Sequence, residues 1–195
     1  MPKEHWTKRL KRENARLKEE NDKLKTNTVS GTVSDQSELM AAIAGDASEV
    51  DANTIANALL NKVCVPHNCR EDAFVMEKGE SVRVQPFRLT DSSYKVVSRS
   101  MLERILKETQ IDAIEWQESD YDCEDIARKF VTRCVDLGIN SVGRVMSWSG
   151  NHAFCVAVVK DGNGVDFVFL EPQTDQIVDV LEGKYDLNNA LIIIS

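Results

Sequence analysis

Apolar positions recur at helical spacing over several stretches of the chain, and at strand spacing over others. Ile126, Ala127, Phe130, Val131, Cys134 and Leu137 form one stripe, which predicts a helix from Cys123 with one buried face and a stop at Gly138. Met101, Leu102, Ile105 and Leu106 form another, over a helix from Ser100 to Thr109 with Ser98 as its cap. Ile55, Ala56, Leu59 and Leu60 suggest a third, capped by Asp51 or Asn53, and Asp35 with Glu38 suits a capping box for a short helix through Ala44. The strand signals lie later. Ala153 to Val159 and Val165 to Leu170 are apolar runs joined by Asp161-Gly162-Asn163-Gly164, a hairpin signature. Ser81 to Val84 reads as a weaker strand, and the apolar run Ala190 to Ile194 as a buried closing one.

These elements bring candidate chemistry to one place. Cys123 begins its helix after Asp122, a suitable N-cap, with Glu124 and Asp125 in the first turn. Unpaired backbone N–H groups at a helix start favour thiolate, whereas the flanking Asp120, Asp122, Glu124 and Asp125 oppose it. Of three histidines, His5 lies in a charged run and His67 in a turn, while His152 opens the strongest strand. Glu171-Pro172-Gln173 ends the next strand, so the hairpin brings His152 and Glu171 to the same end. There an acid holds an imidazole by its second nitrogen. Cys134 and Cys155, mid-element among apolar neighbours, read as inert core thiols. Trp116 precedes the cysteine motif and Trp148 precedes His152, either as groove-lining or as core residues.

The order Cys123, then His152 on a strand, then an acid at the end of the following strand, resembles the transglutaminase-like group of the papain-fold cysteine peptidase superfamily. The likeness covers roughly residues 115–180, and Ser-Asp-Tyr-Asp-Cys-Glu-Asp with Asn-His-Ala and Glu-Pro-Gln is similar to small phage or bacterial members. It implies an α+β fold in which a Cys-bearing helix packs on an antiparallel sheet containing residues 152–159, 165–170 and 190–194. It also implies a cysteine-dependent amide or peptide hydrolase with a peptide or protein substrate. Cys123 would be nucleophile, His152 base, Glu171 or Gln173 the group orienting the ring, and Gln117 an oxyanion donor. The alternative is a non-catalytic structural or binding protein, such as a virion component, that keeps the same fold.

Charge divides the chain. Residues 1–25 carry nine Lys/Arg and five Asp/Glu, a net of +4, so the rest of a chain of net charge -8 carries -12. An acidic body argues against nucleic-acid binding. Leu10, Leu17 and Leu24, with Asn14 and Asn21 between them, have heptad spacing. Residues 3–26 are therefore expected to form a coiled coil joining a homo-oligomer, a dimer or trimer. The expected organisation is a coiled coil at 1–27, a Ser/Thr/Gly linker at 28–34, a small helical segment at 35–70 and the main domain at 71–195. No run is long and apolar enough for a membrane span, no signal-peptide core is present, and five cysteines without framework spacing suit a reducing, cytoplasmic setting or a virion. No cofactor is called for. Cys64, His67 and Cys69 lack a second ligand pair for zinc and read as free thiols beside a turn, with a disulfide as the alternative.

Overall fold

The computed structural model describes residues 36–67, 69, 73–77, 80–84, 86–114, 122–180 and 183–194. The coiled coil expected at 1–27, the linker at 28–34, Trp116 and Gln117 lie outside them. The chain divides into two compact units, Met1–Ala42 and Ile43–Ser195. Residues 36–46 are helical (α1), and the second unit carries the remaining elements.

Helix α2 (Ala52–Leu59) follows strand β1 (Ser48–Asp51), and Asp51 caps it by accepting from the Thr54 N–H at 3.0 Å. Ile55 and Leu59 of the predicted stripe are buried, but Leu60 is exposed because the helix widens there into a π-turn, Leu60–Cys64. Helix α3 (Arg99–Glu108) takes Ser98 as its N-cap and buries Leu102, Ile105 and Leu106. Helix α4 (Cys123–Asp136) buries Ile126, Ala127, Phe130, Val131 and Cys134. Gly138, at φ 81°, ends it, and Ile139 N–H reaches back to the Cys134 carbonyl at 2.9 Å, a Schellman closure that favours a residue without Cβ.

The main sheet has six strands: β4 (Phe87–Leu89), β10 (Ala190–Ile194), β6 (Val142–Ser147), β7 (His152–Asp161), β8 (Gly164–Glu171) and β9 (Gln176–Ile177), in that spatial order. Neighbours are antiparallel except β10 and β4, which run parallel. Two smaller ribbons pair β1 with β5 (Ser93–Val96) and β2 (Ala73–Glu77) with β3 (Glu80–Val84). Strand β7 is apolar at consecutive positions because both its faces are covered. Phe154, Val156 and Val158 join Ile55, Leu59, Tyr94 and Ile192 in the core, while on the other face the Cys155 thiol donates to the Ala127 carbonyl of α4 at 3.5 Å. The β7–β8 turn is two residues long, with Gly162 at φ 55° in the position where positive φ is required.

The sheet dominates and curls into a half-barrel accompanied by few helices. The α+β papain-like/transglutaminase-like class expected from the sequence is corrected accordingly, while the three strands expected at 152–159, 165–170 and 190–194 do lie in antiparallel ladders, with β4 added in parallel to β10. The physical reason is that β6 and β4 lack a distinctive local pattern. Strand β4 enters the sheet through pairing with the remote β10, and β6 lies between β10 and β7.

The β6–β10 pairing is close. A Cβ added at Gly143 would lie 2.2 Å from the Ile193 carbonyl oxygen and 2.8 Å from Ile194 Cα, both backbone atoms that cannot swing away. Gly143→Ala is therefore expected to cost about 1–3 kcal/mol or more, which for a chain of this size lowers Tm by several degrees. Thermal unfolding of the variant against the parent measures it, and an unchanged Tm would mean that the two strands separate at no cost.

Candidate functional site

The side chains singled out by the sequence gather where α4 begins and where β7 starts beside the end of β8. Asp122 fixes the start of α4, its Oδ1 accepting from Glu124 N–H at 3.0 Å and Asp125 N–H at 3.4 Å. Cys123 is the first residue of the helix and is half-buried. Its sulfur accepts from the Ala153 N–H at 3.4 Å, which ties it to the residue following His152. The helix tip and the start of β7 are thus in direct contact.

His152 and Glu171 come together at the same end of the hairpin. The His152 ring meets the Glu171 carboxylate at 2.6 Å, from Nε2 to Oε2. His152 stacks on Phe154 at 6.1 Å between centroids and meets Tyr185 edge-on at 5.6 Å. Glu171 is 1% exposed, which would be untenable for an isolated carboxylate. It is surrounded by donors: besides His152, Lys184 Nζ lies 3.2 Å and Tyr185 OH 3.1 Å from Oε2, and the Gln173 N–H 3.3 Å from Oε1. Burial pushes the Glu171 pKa up, but the hydrogen bond and charge of His152, then those of Lys184, outweigh it and hold the carboxyl below the usual glutamate value. The ionised carboxylate accepts, so Nε2 carries the proton and Nδ1 is left for a second partner.

Lys184 and Tyr185 escaped sequence reasoning. They sit on a 3₁₀ turn, Gly183–Tyr185, with no local signal of function. Their placement depends on straps between the segment 183–188 and the β6–β7 turn. Ser147 Oγ donates to the Asp186 carbonyl at 2.6 Å, and Ser149 Oγ to the Asn188 carbonyl at 2.5 Å. At Gly150 the backbones approach so closely that a Cβ would lie 2.3 Å from the Lys184 carbonyl oxygen. Gln173 gives its backbone N–H to Glu171, and its buried side-chain Nε2 has no partner among the described residues. Trp148, on the turn leading into His152, is 42% exposed. Around one edge the molecule therefore offers a thiol, one imidazole nitrogen, an ammonium, a phenol and an indole, supported by one buried charge.

No family model and no curated protein matches the chain. Solved structures do. One, titled the PSL1a-E64 complex, aligns with a TM-score of 0.52 at 19% identity, over 75% of this chain and 51% of that one. Another, a lectin of Polyporus squamosus bound to the human-type influenza-binding epitope Neu5Aca2-6Galb1-4GlcNAc, aligns with a TM-score of 0.52 at 18% identity, over 75% of this chain and 49% of that one. At such identities the likeness is one of fold alone, and it takes in about half of each neighbour's length.

These matches correct the family reading. The fold is shared with a lectin, not with a transglutaminase-like peptidase, so membership of the transglutaminase-like/papain-fold superfamily is withdrawn. The cysteine-dependent hydrolase, its peptide substrate and the enzyme assignment fall with it, and nothing in the comparisons supports a phage or virion attribution, while the expected coiled coil lies outside the described residues. The reason is physical. A helix followed by a hairpin brings any Cys at the helix start, any His at the strand start and any acid at the next strand's end into one order, whatever the protein does. Among the described residues, no helix is long and apolar enough to cross a membrane.

Because the folded-state pKa of Glu171 is depressed, its contribution to stability is present above the unfolded value and lost as pH falls through the folded one. The chain is thus expected to lose stability on acidification below about pH 4.5. Glu171→Gln, which cannot ionise, should flatten that part of the profile while costing about 3 kcal/mol at neutral pH. Urea unfolding at several pH values tests both, and an identical acid limb in parent and variant would show that Glu171 is not the group responsible.

Proposed function

We propose that the chain is a non-catalytic binding module for a polar, polyhydroxylated ligand of the glycan type, with its site at the edge formed by Cys123, His152, Glu171 and Gln173. Gln117, six residues before Cys123 in sequence, lies outside the described residues and is no part of the proposed site. The observation that carries the reading is the clamp on Glu171. One buried carboxylate fixes His152, Lys184 and Tyr185 in place before any ligand arrives. Sugars are recognised by preset donors and acceptors together with an aromatic face, and Trp148 supplies an exposed indole on the adjoining turn. The lectin neighbour, whose title names a bound sialylated epitope, is consistent with this ligand class. Five free cysteines suit a reducing compartment such as the cytoplasm.

Calorimetric titration with Neu5Aca2-6Galb1-4GlcNAc, and separately with E64, the compound named with the other neighbour, tests the proposal. The sugar is expected to bind with a Kd of about 10 μM to 1 mM, the weak range typical of a few hydrogen bonds and one stacked ring. Trp148→Ala and His152→Ala should each weaken it at least about fivefold, or roughly 1 kcal/mol. No heat with the sugar, or binding indifferent to both substitutions, overturns the reading. So does binding of E64 alone in a manner lost with Cys123→Ala, or turnover of a peptide amide.

A further inference from the structure

We propose that Cys64 and Cys69 form a reversible intramolecular disulfide, a redox-modification site separate from the cluster around Glu171. The π-turn ending α2 prepares the pair. Its wide hydrogen bonds run from Val65 N–H to the Leu60 carbonyl at 2.9 Å and onward to Cys69 N–H, which meets the Cys64 carbonyl at 2.9 Å. That last bond folds the chain back on itself and holds the backbone of Cys69 against that of Cys64, the close approach that a disulfide requires. The side chains follow. The two thiols are close enough for each to perturb the other's ionisation, and Cys69 Sγ lies 3.9 Å from the Val63 carbonyl. Both belong to the same core cluster and are only 4% and 7% exposed.

Access comes through the segment between them. Val65 is 67% exposed and Pro66 is exposed, so local opening of this turn uncovers the thiols without disturbing the sheet. The partners also differ in readiness. The hydrogen bond from Cys64 lowers the pKa of Cys69, against its burial, and the same contact with burial holds Cys64 as the thiol. The negative charge of Asp186 works against ionisation of Cys69.

The oxidant is a small-molecule disulfide of the glutathione kind. The Cys69 thiolate attacks one of its sulfurs, forming a mixed disulfide and releasing one glutathione thiolate, which takes up the proton Cys69 gave to solvent. Cys64 then loses its proton and attacks the Cys69 sulfur, closing the protein disulfide and releasing the second glutathione, which takes that proton. Two protein thiols are oxidised by two electrons, and one glutathione disulfide is reduced to two thiols.

The test incubates the intact folded chain in mixtures of oxidised and reduced glutathione, quenches with an alkylating agent and digests with trypsin. Cleavage after Lys62 and Arg70 places both thiols on the peptide Val63–Arg70. As the mixture becomes more oxidising, that peptide should lose two hydrogens in most molecules and escape alkylation. A dithiol should reverse the change, and Cys134 and Cys155 should stay reduced throughout. Cys64→Ser should instead leave a glutathione adduct on Cys69. Should that variant fail to fold, the parent peptide's mass decides alone. The proposal is overturned if both thiols of Val63–Arg70 are alkylated at every ratio, if a glutathione adduct persists in the parent, or if hydrogens are lost only by cross-linking to another cysteine or another chain.

Discussion

A carboxylate removed from water loses several kcal/mol of hydration unless donors replace it, and the geometry around Glu171 is organised by that requirement. Four donors meet its two oxygens, from β7, from the turn after β8 and from the 3₁₀ turn at Gly183–Tyr185. Each of these elements is held in register partly because moving it would strand a charge that is 1% exposed. The low folded-state pKa of Glu171 expresses the same fact from the side of the proton: the surroundings favour the charged form over the neutral one despite burial. The two small residues Ser147 and Gly150 belong to this arrangement too. They allow the β6–β7 turn to lie against the segment carrying Lys184 and Tyr185.

Strand β7 links this cluster to the rest of the core. Its alternate residues serve different faces, Phe154, Val156 and Val158 on one side and Cys155 against α4 on the other. A one-residue slip would exchange these faces and carry His152 away from Glu171 at the same time. The tight β7–β8 turn at Gly162 and the contact of the Cys123 sulfur with Ala153 N–H hold the strand from its two ends. Packing and the polar cluster are therefore set by a single register, which is how a sheet with an unremarkable core can present a fixed polar edge.

What was legible in the sequence was local. Asp122 and Ser98 cap the helices that follow them, Gly138 stops α4, and Asp161 to Gly164 turns the hairpin, each because the chemistry needed lies within a few residues. The meeting of His152 with Glu171 was legible for the same reason, since a hairpin of known turn aligns its own ends. Strand β6 was not, because Val142–Ser147 becomes a strand by pairing with β7 on one side and with the remote β10 on the other. Lys184 and Tyr185 were not, because nothing near them in sequence announces Glu171. The family was misread on similar grounds. The order of three residue types along a helix and a hairpin describes topology, and topology alone does not say what a site does.

The cysteines show how far burial and neighbours separate residues of one type. Cys134 and Cys155 are fully enclosed, and burial raises both thiols above their ordinary value. In Cys155 the nearby Cys134 and Glu171 reinforce the effect. Neither has a route to solvent that avoids opening the α4–sheet interface, so their contribution is packing. Cys123 is the converse, half-buried at a helix tip and engaged by one backbone N–H. Cys64 and Cys69 are buried but have each other, under a turn whose outer residues face solvent. Opening a surface turn takes far less free energy than separating a helix from a sheet, so exposure in the static structure ranks these thiols less well than the cost of uncovering them.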